Sequence, residues 1–428
     1  MKKLINLGQI FLAALFLLCA ALSATNAWAN DIWTRDKLTG DWGGLRSDLS
    51  KHGVQLDLRL TQFYQGVTNG GTDDDKFEYG GKMDYFINID GHKLGLWQGL
   101  FIKIHAETQF GQNILNDAGG STLANTAMLY PKPDDRETAI TGFLVEQALS
   151  KNFLVAAGKI NVVDLWGMVY PQMGTGIDGF MNTNMLAAAL PWLRWVNLAV
   201  LGAGGLVLTD DGQVRGGVVV FDLNGCATTS GFSKLFDDGA GLLGLWRFFF
   251  DIGQKPGSLL FAAGMAANRE YSSLESTDWG FEYAEGLEGE KEDGVWTTAV
   301  YYEQILWQEA HNDKRNLRFF TGASLSDGDP SFGRWSGYAT IEAMGLICSR
   351  PNDRMGVGGF FSQLSSDLKH FDLGADVLDL EDTWGAEVYY NIGVTPWMHL
   401  TADAQLVDNE NRDDSTAVIL GLRMVIDF

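Results

Sequence analysis

The sequence is poor in proline, cysteine and basic residues. Its 428 residues include 8 Pro and 3 Cys against 52 Gly, and 31 Lys and Arg face 54 Asp and Glu, for a formal net charge of −23. No basic stripe is available to neutralise phosphates, so we expect no nucleic-acid partner. Many glycines with few prolines suit short strands in close approach and argue against disorder. The acidity is what solvated loops provide, and it points to no cation site.

Long apolar runs are also lacking beyond residue 29, where none reaches the roughly 18 residues that a spanning helix needs. The run from Leu4 to Leu22 follows a basic start and precedes Ala27-Trp28-Ala29, a small-x-small cleavage site. This pattern predicts a secretory signal peptide over residues 1–29, with an uncleaved membrane anchor as the alternative. The mature protein is therefore exported, and it is either soluble or a barrel.

A period of two dominates the mature chain and indicates β-strands. It is clearest in VQLDLRLTQF from Val54, in GKMDYFINID from Gly81 and in FIKIHAETQF from Phe101, where ionisable groups share one face. Residues 30–53 come first, as an N-terminal periplasmic segment. There Leu45, Leu49 and the cap-like Asp41 predict a short helix.

The same alternation predicts sixteen strands, an even number as bacterial barrels require, with short turns alternating with long outer loops. The fold class is therefore all-β, a transmembrane antiparallel β-barrel over residues 54–428. The predicted outer loops are 66–79, 112–137, 163–194, 223–239, 269–293 and 365–382. The predicted strands are 54–65, 80–90, 98–111, 138–149, 152–162, 195–208, 213–222, 240–251, 257–268, 294–306, 316–326, 335–346, 355–364, 383–394, 397–407 and 416–428.

The last strand, Ala417 to Phe428, alternates apolar residues with Arg423 and Asp427 and ends on an aromatic. By itself it also fits an edge strand of an ordinary sheet, but in this context it predicts the closing strand, with Leu422 facing lipid and Arg423 facing water. We expect Phe428 to be the membrane-insertion signal that the barrel-assembly machinery reads. Interface girdles are predicted for Trp97, Trp195, Trp296, Trp307, Trp335, Trp384 and Trp397.

The cysteines of the mature chain are Cys226 and Cys348, which could form one disulfide. The predicted topology puts Cys226 in an outer loop and Cys348 in a periplasmic turn. Since a disulfide tolerates only a short Cα separation, we expect none.

Particular blocks of sequence resemble the carbohydrate-selective outer-membrane porins of the OprB type. LTGDWGGLRSDLSKHGVQLDLRLTQFYQGVTNGG (Leu38 to Gly71) is similar to the amino-terminal signature of that family, and further blocks follow in the family's order: YGGKMDYFINIDGHKLGLWQG, VEQALSKNFLVAAGKINVVD, SRPNDRMGVG, YYNIGVTPWMHLTADAQLV and GLRMVIDF. The resemblance implies a sixteen-stranded barrel through which small carbohydrates diffuse across the Gram-negative outer membrane. It also implies surrounding lipid and lipopolysaccharide, a monomer or homotrimer, and an inward-folded third outer loop.

A diffusion channel needs a narrow place and groups that replace water around the solute. The candidates are inward polar side chains of strand three and its neighbours, which offer both donors and acceptors to a sugar; each could equally be a hydrated charge that contacts no solute. They are Lys103, His105, Glu107 and Gln109 on strand three, and Arg59, Lys82 and Lys159 nearby.

The third loop carries Trp166, Tyr170 and Phe180, whose rings could stack on sugar faces or simply pack against the barrel wall. Residues 163–194 are richer in Met, Ala and Leu than the resemblance leads us to expect. The preferred solute therefore stays open.

An enzyme is the rival class, because some outer-membrane barrels are hydrolases. The sequence has no G-x-S-x-G, H-E-x-x-H or C-x-x-C motif, and its six histidines are scattered singly. We therefore expect a channel with no catalytic residue, metal or cofactor. A general or anion-leaning diffusion porin is the alternative function.

Overall fold

The computed structural model describes residues 32–74, 76–130, 138–275, 290–369 and 380–428. The predicted signal peptide, residues 1–29, lies outside them. Within the described residues, no helix has the length and apolar character needed to cross a membrane.

Alternating side chains in this part of the chain form sixteen strands, and each strand pairs antiparallel with its neighbours in sequence. The barrel closes between β1 and β16, where Arg59 lies opposite Asp427 and Phe63 opposite Arg423. The predicted fold class is confirmed. The strands are β1 Val54–Asn69, β2 Lys76–Asp90, β3 Leu100–Gly111, β4 Thr138–Ser150, β5 Phe153–Asn161, β6 Ala199–Leu208, β7 Val214–Asp222, β8 Ala240–Ile252, β9 Lys255–Ser272, β10 Lys291–Glu309, β11 Asn312–Ser326, β12 Gly333–Met344, β13 Arg354–Leu364, β14 Thr383–Thr395, β15 Met398–Asp408 and β16 Ala417–Asp427.

Short helices lie outside the strands. The predicted N-terminal helix is α1, Leu45–Lys51, and Asp41 accepts a hydrogen bond from the Ser47 amide (2.7 Å) at its start. Within the described residues, the other α-helices are α2 Val162–Val169, α3 Asn184–Ala187 and α4 Ser366–Lys369. Short 3-10 segments occupy Trp42–Gly44, Gly120–Thr122, Thr126–Met128, Pro171–Gly176, Leu190–Trp192 and Phe232–Lys234.

The connections between strands are of two kinds, and each kind lies at one end of the barrel. The turns after even-numbered strands are short, and the loops after β3, β5, β7, β9 and β13 are long. In a barrel of this kind the long loops are extracellular and the short turns periplasmic. Cys226 lies in the loop after β7 and Cys348 in the turn after β12, so the two cysteines are at opposite ends, as predicted.

The two faces of the wall differ as the alternation predicts. On β16, Leu422 is 50% exposed on the outer surface, whereas Arg423 is fully buried inside the barrel. Arg423 therefore points inward but meets protein rather than water, which corrects the expectation of a hydrated side chain.

The tryptophans divide into two groups. Trp195 is buried inside the barrel, where its ring stacks on Phe221 (5.8 Å between centroids), and Trp397 is buried beneath the N-terminal segment, with its indole donating to the carbonyl of Ile32. These two were wrongly predicted to belong to the girdles, because a Trp beside a strand end can pack inward as well as outward. The exposed tryptophans include Trp97, Trp246, Trp296, Trp307, Trp335 and Trp384.

Two outer loops fold into the barrel and form its core. The third outer loop, residues 162–198, runs between β5 and β6, and the second, described over residues 112–130, runs between β3 and β4. They touch each other where the Thr126 amide donates to the carbonyl of Met181 (2.8 Å). The inward third loop was predicted, whereas the second loop's part in the core was not.

Candidate functional site

The third outer loop is held across the barrel by two arginines of the far wall. Arg423 of β16 donates to the carbonyls of Gly176 and Gly179, each at 2.9 Å. Arg354 of β13 donates to the carbonyl of Gln172 and forms an ion pair with Asp178 (3.3 Å). Because guanidinium groups offer several donors in a rigid fork, each arginine fixes more than one point of the loop.

Two further wall residues contribute to the attachment. Glu387 of β14 accepts hydrogen bonds from the backbone amides of Met181 (2.6 Å) and Asn182 (3.0 Å). Arg247 of β8 donates to the carbonyl of Val169 (2.8 Å) and pairs with Glu303 (2.5 Å). The loop therefore has defined positions inside the barrel, as a constriction requires.

A network of charged side chains lies on β2 and β3, beside the start of the loop. Lys82 Nζ lies 3.0 Å from Asp84 and 2.5 Å from Glu107. His105 bridges the wall and the loop, with Nε2 at 3.0 Å from Asp84 and Nδ1 at 2.7 Å from Asp164 of α2. Low local dielectric strengthens such pairs, so the network fixes α2 against the wall.

Asp84, His105 and Glu107 also have the spacing of a metal site, since their donor atoms lie within 4.8 Å of one another. The ammonium of Lys82 already bonds both carboxylates, so a cation is in place between them. The arrangement is better described as an ion-pair network than as a metal centre.

The other predicted residues of strand three also point inward. Lys103 pairs with Glu146 of β4 at 3.0 Å, and its side chain is 42% exposed. Gln109 donates to the carbonyl of Tyr130 in the second outer loop (2.7 Å). On β1, Arg59 pairs with Asp427 at 2.9 Å.

Lys159 lies on the opposite face of the wall from the predicted one. It sits beside Phe143 in the register, which in turn sits beside outward Ile104, and paired residues of antiparallel strands share a face. Its ammonium donates to the carbonyls of Ala227 and Thr229. The prediction of an inward Lys159 is therefore wrong, because an outer loop rather than the lumen surrounds this charge.

The three aromatic candidates of the third loop have different surroundings. Tyr170 is buried under the guanidinium of Arg247, and Phe180 is buried edge-on against Tyr389 (4.9 Å between centroids). In this conformation neither ring has a free face for a solute. Trp166 is only partly buried, so sugar stacking stays a prediction for this residue.

Several residues of the site were missed from the sequence. Asp84 shares the parity of Lys82 within one strand, and this signal was available. Partners contributed by distant strands or loops had no local signal, because their meeting depends on the closed barrel and the inward loop. They are Glu146, Asp164, Asp178, Arg247, Glu303, Arg354 and Glu387.

Charged groups remain open to water inside the barrel at this level. The side chain of Asp178 is 50% exposed and that of Asp164 44%, and both lie on the third loop. Together with Lys103 and Arg59 of the wall they offer donors and acceptors to a polar solute. The arrangement can bind hydroxyl groups weakly at several points, and it contains no placed nucleophile among the described residues.

Comparison with known proteins gives a family and a fold. The family model described as "Carbohydrate-selective porin, OprB family" matches residues 74–428. Porin B of Pseudomonas aeruginosa is 22% identical over 460 residues, covering 98% of this chain and 96% of that protein. A putative porin, QuiX, of Acinetobacter baylyi is 29% identical over 118 residues, and this match spans 26% of the chain and 27% of that protein.

Among solved structures, the high-pH structure of Pseudomonas putida OprB superposes with a TM-score of 0.77. It is 17% identical and covers 93% of this chain and 100% of that one. The low-pH structure of the same protein gives a TM-score of 0.54 at 14% identity, covering 92% and 99%. At these identities the likeness supports the barrel fold.

Proposed function

The chain belongs to the OprB family of carbohydrate-selective porins, and from this premise we propose that neutral sugars cross its barrel past the third outer loop, between Asp164 and Asp178 of the loop and Arg59 and Lys103 of the wall. The protein is a carbohydrate porin of the outer membrane. The residues at which its solute is recognised are our proposal.

The pairing of the lumen charges carries this proposal. Anion preference needs cations without partners in the passage, because an uncompensated charge is what concentrates counter-ions. Here the inward cations that reach water are matched by carboxylates, and Arg423, which has no carboxylate partner among the described residues, is fully buried against loop carbonyls, so the passage offers polar groups with little excess charge. The pairs are Arg59 with Asp427, Lys82 with Asp84 and Glu107, Lys103 with Glu146, Arg247 and Arg318 with Glu303, and Arg354 with Glu342 and Asp178.

Such a lumen suits a neutral polyhydroxylated solute. A sugar that leaves bulk water exchanges water hydrogen bonds for bonds to charged groups, worth roughly 1.5–3 kcal/mol each against about 1 for neutral partners. Several weak contacts along a passage permit entry without trapping the solute. Asp178 and Lys103 are the most suitable first contacts, since both combine charge with exposure.

Liposome swelling tests the proposal. Purified protein in liposomes is exposed to glucose, to gluconate and to glucosamine, which have similar sizes and different charges. We expect the fastest swelling with glucose, and a slower rate for glucose in Asp178→Ala than in the wild type. Similar rates for the three solutes would indicate a general porin, and a fastest rate for gluconate would indicate an anion porin.

Processing and partners are a separate part of the proposal. We infer cleavage after Ala29, insertion by the barrel-assembly machinery, contact with lipopolysaccharide, a monomeric or homotrimeric state and no catalytic activity. Amino-terminal sequencing of the purified protein would check the first inference, and its mass in detergent the oligomeric state. An intact residue 1–29 segment would contradict the signal peptide.

A further inference from the structure

A cavity of about 170 Å³ lies between the third outer loop and the wall of β8–β10. The wall contributes aliphatic side chains, among them Leu245, Leu260 and Ala262, and the loop contributes Leu186 and Ala187. This is where the loop's high content of apolar residues is used. We name the cavity the third-loop chamber.

Aromatic rings form one side of the third-loop chamber. Trp166 of the loop and Tyr301 of β10 line it and meet edge to face, with ring centroids 4.8 Å apart. Trp192 lines it as well. Edge-to-face contacts of this type are favourable between aromatic rings, so a third ring could extend the cluster.

The chamber also offers polar groups at its edge. The buried indole Nε1 of Trp166 has no hydrogen-bond acceptor within the described part of the chain. Thr126, Thr175 and Thr183 line the end that the second and third outer loops share. Leu193, another lining residue, is 40% exposed, so the lining of the chamber reaches the solvent-exposed surface there.

The size of the chamber limits its occupant. An engineered apolar cavity of about 150 Å³ in another protein stays dry and binds benzene. A sugar ring carries hydroxyls on every carbon and would leave most of them unpaired among these side chains, which is costly. A single unsubstituted aromatic ring fits both the volume and the walls.

We propose that the third-loop chamber binds the aromatic ring of an aryl glycoside while the sugar part stays in the polar passage. The inference rests on the proposed function, because it assumes that glycosides enter the barrel, and it adds a substrate class to it. The Trp166 indole, whose Nε1 has no acceptor among the described residues, supplies a donor for the glycosidic or ring oxygen of the sugar.

Block of the ion current in planar bilayers tests the chamber. Phenyl β-D-glucoside should block the wild-type channel at a concentration at least about tenfold lower than methyl β-D-glucoside, equivalent to about 1.4 kcal/mol. Ala262→Phe fills the chamber and should remove this difference. Ala263→Phe, the next residue, faces the outer surface and should retain it.

Two further variants separate packing from recognition. Trp166→Phe keeps a ring but removes the indole donor, and it should weaken block by the phenyl glucoside more than block by the methyl glucoside. Trp166→Ala opens the chamber and serves if Ala262→Phe fails to fold, as judged by heat-modifiable gel mobility. It should also make the blocking concentrations of the two glycosides more similar.

The outcomes are distinguishable. Equal blocking concentrations for the two glycosides in the wild type, with both entering liposomes, would overturn the chamber and leave the carbohydrate porin intact. A difference that survives Ala262→Phe would place the ring elsewhere and overturn the chamber as well. Failure of every sugar to enter liposomes would instead contradict the proposed function.

Discussion

Leu422 and Arg423 are neighbours in β16 that meet opposite surroundings. Leu422 lies on the lipid-facing surface of the barrel, and Arg423 is enclosed between the wall and the third outer loop. The consequences of replacing each residue are therefore different in kind. One change acts on the stability of the barrel in the membrane, and the other acts on the position of the loop.

Leu422→Arg should lower the free energy of unfolding by about 2–4 kcal/mol near the bilayer midplane, and by less toward an interface. Urea titration of the protein folded in lipid vesicles measures this change. Ile419→Arg would be a poor control because Ile419 is buried inside, whereas Leu420→Met keeps an apolar side chain on the same outer face. A value for Leu422→Arg equal to that of Leu420→Met would show that residue 422 does not face lipid.

Arg423→Leu should leave the barrel folded but free the third outer loop. The carbonyls of Gly176 and Gly179 lose their donor, at about 1–3 kcal/mol for each buried group left unsatisfied. We expect higher single-channel conductance and weaker discrimination among sugars. Conductance equal to the wild type would show that the other anchors, such as Arg354, hold the loop alone.

At the scale of single residues, the inward or outward orientation of most side chains could be predicted from the sequence. Their ion-pair and hydrogen-bond partners could not. The alternation in β3 correctly places Lys103 and His105 inward, because a face change would expose charge to lipid. The prediction for Lys159 fails because β5 has small apolar residues on both faces, so its polar–apolar alternation is weak. The Lys159 ammonium is hydrogen-bonded to loop carbonyls and does not face the lumen. No local sequence pattern predicts a partner that is contributed by a distant loop.

At the scale of elements, the turn between β12 and β13 contains a compact ionic group. Arg350 binds both oxygens of Asp353 at 2.9 Å, and the hydroxyl of Tyr390 donates to the same carboxylate at 2.7 Å. Burial by itself would raise the pKa of Asp353, but hydrogen bonds from Arg350, Tyr390 and the Gly393 amide outweigh it and lower the pKa.

The lowered pKa predicts a pH-dependent contribution of Asp353. Its stabilisation is complete above the unfolded value of about 3.9 and is lost as pH falls through the lower value of the folded state. Asp353→Asn should therefore cost about 1–3 kcal/mol at neutral pH, and the difference from the wild type should shrink below pH 4. Urea unfolding at pH 7 and at pH 3 measures it, with Asp251→Asn, an exposed residue near the β8–β9 turn, as the control.

The carboxyl-terminal residue gives a second prediction at this scale. The Phe428 amide donates to the carbonyl of Leu58 (2.9 Å), and its own carbonyl accepts from Arg46 (2.6 Å). Phe428→Ala keeps both backbone bonds and removes the ring. If the assembly machinery reads the ring, this variant should accumulate far less folded protein in the outer membrane, as followed by heat-modifiable gel mobility.

Phe428→Tyr keeps an aromatic ring and should assemble normally. Equal amounts of folded Phe428→Ala and wild-type protein would show that the ring is not the signal. A loss in both variants would point instead to packing of the phenyl group.

The elements themselves could largely be predicted, since each of the sixteen strands lies where the period of two indicates. The largest boundary differences are four residues: β1 extends to Asn69, β2 begins at Lys76, β6 begins at Ala199, β9 extends to Ser272 and β11 begins at Asn312. In the outer extension of β9, for example, Arg269 and Glu270 are adjacent charges, so neither face there is uniformly apolar. Strand segments that pair above the membrane need no lipid-facing apolar stripe. The alternation of apolar and polar residues therefore ends there, although the backbone hydrogen bonds between the strands continue.

At the scale of the whole molecule, most cations of the lumen are paired with carboxylates. Glu146 neutralises Lys103, and both lie on neighbouring strands of the same wall. Removing either partner therefore leaves one uncompensated charge in the passage. An ion about 4 Å from a unit charge of opposite sign in water has a favourable interaction energy of about 1 kcal/mol, which corresponds to roughly a fivefold change in its occupancy.

Glu146→Gln should shift ion selectivity toward anions, and Lys103→Met should shift it toward cations, each by up to about fivefold in permeability ratio. Reversal potentials across a salt gradient measure both shifts, which have opposite signs. The double variant should return to the wild-type value. Shifts of the same sign, or none, would show that this pair does not face the conducting path.

The attachment of the third outer loop has a consequence for how the channel can be altered. Arg423 and Glu387 hold it by carbonyls and amides, groups that every residue of the loop except proline supplies alike. These contacts therefore do not depend on the side chains of the residues that they hold, whereas His105 and Arg354 hold the loop through the carboxylates of Asp164 and Asp178. Libraries that keep these two carboxylates and the loop glycines, and vary the remaining side chains of the loop, can therefore test new solutes on an unchanged frame.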